Sequence, residues 1–311
     1  MLRVTFLGTA AARPTVARGV SAVAVQRESR LFLFDCGEGT QRQMMRYGTG
    51  FGVEAIFVTH LHGDHFLGIT GLLRTLALQD RREAILIYGP PGSGGTLEEA
   101  AMLGVDRIRF PVVVRELENG QALHMDDFSI QALGVHHGTP ALGYALVEKD
   151  RPGRFDVDLA RKMGVPEGPL YGRLHRGESV EVDGKVFHPQ ELVGPPRPGR
   201  KVIYTGDTRP SEGVRRMAEG ADLLIHEATF GDGEEERALE THHSTAREAG
   251  RLARQAGVRR LVMTHLSARH SDGAEVLEAQ AREEFPGARF ARDGLTLEIP
   301  FPDEGEVSPV S

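Results

Sequence analysis

Histidine and aspartate residues are concentrated in the motif HLHGDH at residues 60–65. Its four possible metal ligands, in order of sequence, are His60, His62, Asp64 and His65. Imidazole nitrogens and carboxylate oxygens are common zinc ligands, and this spacing lets one tight loop wrap around two ions. His60 and His62 can face one ion. Asp64 and His65 can face the other. An isolated histidine is usually structural, whereas this cluster predicts metal binding.

Four other apolar segments also end in residues that can bind a metal. The residues that follow these segments are His136, His137, Asp207, His226, Glu227 and His265. If the segments are strands lying side by side in sheets, their ends converge on one edge and the side chains meet in one cleft. Asp207 follows a glycine and can bridge two ions. Without a cation, so many converging carboxylates and imidazoles would be buried without partners.

Short apolar runs alternate with turns and with amphipathic segments in both halves of the chain. Runs typical of strands occupy residues 4–8, 21–25, 30–34, 54–59, 84–89, 128–135, 144–148, 201–207, 222–228 and 259–265. Segments typical of helices occupy residues 40–48, 69–79, 96–104, 244–257 and 273–285. This alternation predicts stacked layers of sheet and helix, in the α/β or α+β class.

Residues 149–200 interrupt this pattern. They contain seven of the 17 prolines and no long apolar run. Between Lys149 and Lys201 there are eleven Lys and Arg residues against eight Asp and Glu residues, in a chain whose net charge is −7. We interpret the segment as an insertion that projects from the core, with a solvated surface loop as the alternative. The composition of residues 302–311 predicts a disordered tail.

The bulk properties of the chain restrict its class. Its 311 residues, 26% of them charged, are typical of a globular protein with one large domain or two ordinary ones. The single cysteine, Cys36, excludes an intramolecular disulfide. The opening MLRVTFLGTA lacks the pattern of a signal peptide, and no apolar run reaches the roughly 18 residues that span a bilayer. We therefore expect a cytoplasmic protein without membrane association.

Several motifs resemble those of the metallo-β-lactamase superfamily and, within it, the ribonuclease Z family. The superfamily resemblance is carried by HLHGDH with His137, Asp207 and His265. The resemblance to ribonuclease Z is carried by FLGTAAARPT (6–15), HGTPALGY (137–144), GVPEGPLYGRL (164–174), YTGDT (204–208), HEATF (226–230), HHST (242–245) and THLSARH (264–270). It extends over almost the whole chain. It implies one α+β domain over residues 1–311, an αββα sandwich of two mixed sheets flanked by helices, with residues 149–200 inserted as a flexible tRNA-binding arm.

The resemblance also implies how the chain would hold two zinc ions per subunit. The ligands are His60, His62 and His137 for one ion, Asp64, His65 and His265 for the other, and Asp207 as the bridge between them. His137 is chosen over His136 because it stands seven residues before Tyr144, as in the family motif. His136 is then structural.

The implied activity is that of an endoribonuclease that removes the 3′ trailer from precursor tRNA. Water rather than the ribose 2′-OH is the nucleophile, so the products carry 3′-OH and 5′-phosphate ends. Asp64 is implied to accept the proton of this water and to orient it. His243, oriented by Glu227, is the candidate general acid for the leaving 3′ oxygen. The alternative is that the HEAT and HHST motifs only hold their loops together.

The inserted arm and the opening loop bear on RNA binding. Arm cations that can contact an A-form backbone are Arg151, Arg154, Arg161, Lys162, Arg173, Arg176 and Lys185. In the family, the arm of one subunit serves the site of the other, which implies a homodimer. The loop PTVARG at residues 14–19 departs from the family pattern Pro-x-Lys-x-Arg-Asn, because Val16 replaces Lys and Gly19 replaces Asn.

Two other functions are compatible with parts of the sequence. The ligand set alone permits a hydrolase of the same fold that acts on a small phosphodiester, thioester or lactam. A catalytically inactive RNA-binding or scaffolding protein is the second possibility, and the complete ligand set argues against it. Zinc content and turnover of a simple phosphodiester separate these two possibilities.

Overall fold

The computed structural model describes residues 1–104, 108–270 and 273–303. The first elements along the chain are β1 (Leu2–Gly8), β2 (Ala22–Arg27), β3 (Arg30–Phe34), α1 (Thr40–Tyr47), β4 (Val53–Phe57), α2 (Gly63–Phe66), α3 (Gly68–Leu78), β5 (Ile85–Gly89), α4 (Gly94–Met102) and β6 (Val112–Glu116). Next come β7 (Ala122–His124), β8 (Phe128–Gly134), β9 (Leu142–Glu148), α5 (Val157–Met163), α6 (Pro169–His175), β10 (Val180–Val182), β11 (Lys185–Phe187) and α7 (Pro189–Leu192). The last are β12 (Lys201–Tyr204), α8 (Glu212–Ala218), β13 (Leu223–Glu227), α9 (Glu235–Glu240), α10 (Ala246–Ala256), β14 (Leu261–Thr264), α11 (Ala274–Glu284), β15 (Arg289–Phe290) and β16 (Thr296–Glu298).

Within these described residues the strands form two seven-stranded sheets and one hairpin, β10–β11. The first sheet has the order β16-β1-β2-β3-β4-β5-β6, and the second has the order β15-β14-β13-β12-β9-β8-β7. Strands β12, β13, β14 and β15 are parallel. Strand β8 runs in the same direction as β12, because both are antiparallel to β9. The loops that follow β8, β12, β13 and β14 therefore leave the second sheet at one edge.

Alternate residues of the strands face opposite layers, as the period of two in a strand requires. In β13, Leu223 and Ile225 belong to the hydrophobic core between the two sheets, to which Val4 and Phe6 of β1 also contribute. Leu224 lies between them in sequence and joins the core beneath α8, α10 and α11. The first sheet packs its outer face against α1, α3 and α4 in the same way. The layers are therefore helix, sheet, sheet and helix, which is the predicted αββα class.

Residues 149–200, which follow β9, have a hydrophobic cluster of their own. Its buried members are Ala160, Val165, Leu174, Val180, Phe187 and Leu192. Two isolated β-bridges, Arg151 with Arg197 and Phe155 with Val193, join the outgoing and returning chains at its base. We call this unit the arm. Its three short helices and hairpin explain why it lacks the long apolar runs of the sandwich strands.

The predicted disordered tail begins at Pro302. Pro302 and Asp303 are described, and Asp303 forms ion pairs with Arg151 and Arg197. Composition alone cannot show that distant arginines supply partners for this carboxylate. The remainder of that tail, residues 304–311, lies outside the described residues. In the described part of the chain, no helix combines the length and the apolar character needed to cross a membrane.

Candidate metal centre and active site

The HLHGDH segment follows β4 at the edge where the two sheets meet. Its last residues form the short helix α2, which carries Asp64 and His65. Asp207 enters the same region from the loop after β12, where Gly206 has a φ of 60°. A Cβ atom on Gly206 would lie 2.7 Å from the Thr59 side chain, so this turn has room only for glycine. His265, after β14, has a φ of 62°, a strained conformation typical of functional sites.

The first group of ligand atoms combines three histidines with Asp207. His62 Nδ1 lies 3.0 Å from His60 Nε2 and 3.3 Å from His137 Nε2. His60 Nε2 also lies 3.6 Å from Asp207 Oδ2. Three imidazole nitrogens and one carboxylate oxygen that converge in this way match the donor set of a zinc ion.

The second group contains Asp64, His65 and His265. Asp64 Oδ2 lies 3.5 Å from His65 Nε2 and 3.3 Å from His265 Nε2. Asp207 Oδ2 is 3.4 Å from the same nitrogen of His65 and 3.2 Å from that of His265. Asp207 therefore contacts members of both groups, which is the position expected of a bridging carboxylate.

The buried polar atoms of the centre support a cation. His65 Nε2 and Asp207 Oδ1 are buried and have no hydrogen-bond partner in the part of the chain that the structure describes. Four histidines turn Nε2 toward the centre because their Nδ1 atoms are engaged elsewhere. Those Nδ1 partners, at 2.7–3.1 Å, are Thr59 for His60, Asp35 for His65, the His242 carbonyl for His137 and Thr229 for His265. Such outer contacts fix the tautomer that binds a metal, so the residues present fit a metal centre.

The ionisable groups of the centre lie close enough together to shift the pKa values of one another. Burial alone would raise the pKa of Asp64, but the hydrogen bond from His265 and the positive charge of the adjacent His65 hold this pKa well below its usual range. Burial also opposes ionisation of Asp207, whose pKa the same two histidines lower. Burial, followed by repulsion from His65, lowers the pKa of His60. Ionised carboxylates and a neutral imidazole are the forms that bind metal ions. Burial would lower the pKa of His65, but Asp207 and Asp35 raise it well above its usual range, so this imidazole must release a proton when it binds a metal.

Asp35 is a residue of the centre that the sequence analysis does not identify. It is fully buried, and its Oδ2 accepts hydrogen bonds from His65 Nδ1 at 2.7 Å and from the Tyr204 hydroxyl at 2.8 Å. Its Oδ1 accepts a hydrogen bond from the Thr59 backbone amide at 2.7 Å. Asp35 directly follows β3, just as the predicted ligands follow their strands. This position after an apolar run is the feature of the sequence that could have identified Asp35 as a residue of the centre. A carboxylate on the far nitrogen of a ligating histidine orients the ring.

His243 and Glu227 lie beside the predicted metal ligands. Glu227 is fully buried, and its Oε1 lies 2.7 Å from His243 Nδ1. Its Oε2 accepts hydrogen bonds from the Thr229 hydroxyl at 2.7 Å and the Thr229 amide at 3.1 Å. Burial alone would lower the pKa of His243, but Glu227 raises it to about 9. The imidazole is therefore protonated at neutral pH, as a proton donor must be.

His243 also belongs to a third group of possible ligand atoms, with Asp207 and His265. Its ring stacks on that of His265, with centroids 5.3 Å apart. His243 Nδ1 lies 4.0 Å from Asp207 Oδ2. Because this nitrogen is engaged by Glu227 at 2.7 Å, the geometry favours proton donation from Nε2 over metal binding.

A cleft of about 620 Å³ opens next to His243 and His265. Arg13, Arg237 and Arg269 contribute positive charge to its lining. The cleft is therefore suited to an anionic substrate such as a polynucleotide.

The loop after β1 forms part of this cleft and reaches the predicted metal ligand Asp64. Its Ala12 backbone amide donates a hydrogen bond to Asp64 Oδ2 at 2.7 Å. Arg18, farther along the loop, donates hydrogen bonds from Nη1 to the Thr9 hydroxyl at 2.7 Å and to the Ala291 carbonyl at 2.6 Å. Arg18 therefore braces the loop, whereas Val16 at its tip is fully exposed.

All nine predicted site residues lie at this edge. The structure brings the seven predicted ligands into the two groups described above and places His243 and Glu227 beside them. His226 and His136 belong to none of the ligand groups found among the described residues. His226 is fully buried, and its Nδ1 donates a hydrogen bond to the Glu227 carbonyl at 2.7 Å. His136 is exposed and stacks on His242.

The αββα layers and a histidine–aspartate centre at the shared edge define the class as a metal-dependent hydrolase of the metallo-β-lactamase type. Comparison with family profiles agrees. The profile of the metallo-beta-lactamase superfamily matches residues 15–151, and that of the beta-lactamase superfamily domain matches residues 192–266.

Comparison with individual proteins identifies the family within this superfamily. A protein of Myxococcus xanthus named "Ribonuclease Z" is 55% identical over 305 residues, which covers 97% of this chain and 99% of the relative. A "Ribonuclease Z" of Haloferax volcanii is also 55% identical over 305 residues, covering 97% and 96%. The crystal structure of human tRNase Z, short form, aligns with a TM-score of 0.70 at 30% identity, covering 96% of this chain and all of that one. The chain therefore belongs to the ribonuclease Z family, and the predicted fold and family are confirmed.

Proposed function

We propose that this chain is a zinc-dependent endoribonuclease that removes the 3′ trailer from precursor tRNA by hydrolysis. Family membership at 55% identity over nearly the full length supports the reaction. The observation that carries the proposal is the pairing of two ligand groups with a protonated imidazole at one edge of the sandwich. Together they offer metal sites and a proton donor, which are the two components that phosphodiester hydrolysis with an alkoxide leaving group requires.

The metal proposal is two zinc ions per subunit. His60, His62 and His137 would hold one ion, and the residues of the second group would hold the other. Asp207 would bridge them, since its carboxylate contacts both groups. When bound, the ions would supply an activated water and stabilise the charge that develops on the phosphate.

Asp64 is proposed to orient the attacking water and to accept its proton. Its carboxylate is held ionised by His65 and His265, against the effect of burial on its pKa. The Ala12 amide also donates a hydrogen bond to its Oδ2. An ionised, immobilised carboxylate at the edge of the cleft is suited to this role.

His243 is proposed to protonate the leaving 3′ oxygen. The water oxygen forms a bond to phosphorus, the bond from phosphorus to O3′ breaks, and the imidazole proton passes to O3′. Glu227 is a positioning residue, because it holds Nδ1 and leaves Nε2 to face the substrate. The products are a 3′-OH on the tRNA and a 5′-phosphate on the trailer.

The arm is proposed to bind the tRNA at a distance from the metal centre. Arg154 and Arg176 have side chains 73% and 66% exposed. Lys162 and Lys185 are also exposed. No arm residue belongs to the ligand groups found among the described residues, so the arm is free for binding. Phosphate contacts from such cations contribute affinity without reading sequence.

A homodimer and a cytoplasmic location complete the proposal. Exposed apolar side chains on the outer helices of the first sheet include Met45 of α1 and Leu67 just before α3, which are 61% and 55% exposed. These two helices are in contact. Burial of such side chains against a second copy would contribute to the driving force for dimerisation.

The function is tested by incubating the purified protein with a precursor tRNA labelled at both ends and mapping the product ends. We expect one cut near the 3′ end of the tRNA body, with 3′-OH and 5′-phosphate termini. A 2′,3′-cyclic phosphate would show attack by the ribose hydroxyl instead and would contradict the proposal. Turnover of a small phosphodiester without any cut in the tRNA would favour a small-molecule hydrolase.

A further inference from the structure

A short segment after β16 crosses the base of the arm. We call residues 299–303 the clasp. The ring of Phe301 is covered by two guanidinium groups, with Arg151 Cζ at 3.4 Å and Arg200 Cζ at 4.0 Å from its centroid. Arg151 lies in the chain that leaves the sandwich for the arm, and Arg200 lies in the chain that returns. One aromatic side chain therefore contacts both connections, and cation–π contacts of this kind are attractive.

Asp303 contacts the same two connections. Its carboxylate accepts hydrogen bonds from Arg151 Nη2 and, at 3.2 Å, from Arg197 Nη1. Arg154 Nη2 lies 3.6 Å from the same carboxylate. Arg151 and Arg197 are also paired with each other by the β-bridge at the base of the arm. The clasp thus binds the two connections as a pair.

The clasp is itself anchored to the sandwich. Arg200, which is 4% exposed, donates a hydrogen bond from Nη1 to the Ile299 carbonyl at 3.0 Å. Arg200 Nε also donates to Glu148 Oε2 at 2.7 Å, and Glu148 ends β9. Arg27 of β2 donates to the other oxygen of Glu148 at 2.8 Å. This buried network ties the base of the arm and the clasp to both sheets.

We propose that the clasp positions the arm for tRNA, with Phe301 and Asp303 as positioning residues for substrate binding. This inference rests on the proposed role of the arm. In the described part of the chain, two reciprocal backbone hydrogen bonds join Arg151 and Arg197 at the base of the arm. Farther out, single bonds run from the Gly194 amide to the Arg154 carbonyl and from the Asp156 amide to the Leu192 carbonyl. Without the clasp the arm can take several orientations. Only the fraction of molecules with the correct one binds tRNA, so the apparent affinity falls by that fraction.

Positioning of the arm by the clasp and a general contribution to stability predict different changes in KM and kcat. The clasp lies at the base of the arm, and neither Phe301 nor Asp303 contacts a predicted metal ligand through any hydrogen bond or ring contact described here. A change of arm orientation should therefore raise KM for precursor tRNA and leave kcat unchanged. A general loss of stability would reduce the active fraction of enzyme on every substrate alike.

The test compares Phe301→Ala and Asp303→Asn with the wild type in the full-length protein. We expect KM for precursor tRNA to rise roughly 3–30-fold, with kcat and the turnover of bis(p-nitrophenyl) phosphate within about twofold of wild type. Phe301→Tyr, which keeps the aromatic ring, should have the same KM for precursor tRNA as the wild type. Glu284→Gln is the matched control, because this carboxylate pairs with Arg251 and Arg254 on the outer helices. It should leave KM unchanged.

Hydrogen exchange provides a readout independent of activity. Backbone amides of residues 150–154 and 193–200 should exchange faster in Phe301→Ala, while those of β4 and β13 keep their wild-type rates. Unchanged KM and unchanged exchange in both variants would overturn the inference, as would equal losses on tRNA and on the small diester.

The double charge reversal Lys162→Glu and Arg176→Glu tests the arm itself. If it leaves KM unchanged, the proposed role of the arm fails. If it raises KM while the clasp variants do not, only the clasp inference fails.

Discussion

Glu227 Oε1 lies 2.7 Å from His243 Nδ1, and the same oxygen accepts a hydrogen bond from the Thr208 amide at 3.0 Å. The glutamate is completely buried, whereas the imidazole keeps 14% of its side-chain surface exposed to the cleft. The buried carboxylate therefore fixes one nitrogen of the ring and leaves the other for the substrate. This relationship distinguishes the proposed proton donor from the proposed metal ligands.

Replacement of His243 by alanine should affect the chemical step alone. The variant should retain its metal and bind precursor tRNA normally, while its cleavage rate falls roughly 10²–10⁴-fold, as expected for loss of a general acid. The deficit should shrink on a nitrophenyl phosphodiester, whose leaving group needs no proton. Metal content, tRNA binding and single-turnover rates check this. Loss of metal in the variant would show that His243 is a ligand instead.

The pH dependence of cleavage should depend on Glu227. Because this carboxylate raises the pKa of His243 to about 9 despite burial, the imidazole stays protonated at neutral pH and loses its proton as pH rises through that value. Glu227→Gln removes the negative charge, so the alkaline limb of the rate profile should move to lower pH. Single-turnover rates across pH 6–10 (roughly the range that brackets this pKa) measure the shift. An unchanged alkaline limb would show that Glu227 does not raise the pKa of the group that donates the proton.

Metal content should depend on Asp207 because it contacts both ligand groups. Asp207→Ala should lower the zinc content and abolish activity on tRNA and on a small diester together. Atomic absorption after purification without chelator should find two zinc ions per wild-type chain. Asp232→Ala is a matched control, since this carboxylate pairs with Arg247 on the surface. One ion or none in a fully active preparation would contradict the two-ion proposal.

Asp35 should control metal affinity without being a ligand. Asp35→Asn removes the charge that orients His65 through Nδ1. Loss of such an outer partner typically costs about 10–100-fold in metal affinity or activity. Competition with a chelator measures the affinity, and excess zinc should restore part of the activity. If the variant binds zinc as tightly as the wild type, Asp35 serves only the packing of this region.

Removal of the arm should separate RNA binding from chemistry. Deletion of residues 152–195 should weaken tRNA binding by at least about tenfold and leave hydrolysis of a small diester largely intact, because phosphate contacts dominate RNA affinity. Wild-type binding should also weaken steeply with salt, and the deletion should reduce that slope. Equal loss on both substrates would mean that the segment belongs to the core.

Residues close together in sequence explain why much of the site could be predicted. His60, His62, Asp64 and His65 lie within six positions, so their spacing alone indicates a metal loop. The apolar run at 30–34 coincides with β3, and the helix predicted at 40–48 is observed at Thr40–Tyr47. Local periodicity and glycine termination are sufficient for such elements.

Some short elements could not be predicted, because they depend on distant partners. Strand β16 has three residues and exists because it pairs with β1, at the opposite end of the chain. The hairpin β10–β11 is equally short and packs on the arm cluster. Neither is long enough for a period of two to be recognised in the sequence.

What the sequence by itself determined was the set of chemical groups: which histidines and carboxylates follow the buried strands, and hence a metal-dependent hydrolase. What only the tertiary structure decided was which atoms meet. The contact of Asp35 with His65 requires β3 and β4 to be neighbours in the first sheet. The hydrogen bond from Arg151 to Asp303 joins residues that are 152 positions apart in the sequence. Such contacts depend on strand order and on the path of the chain between sheets, which local patterns of side chains do not encode.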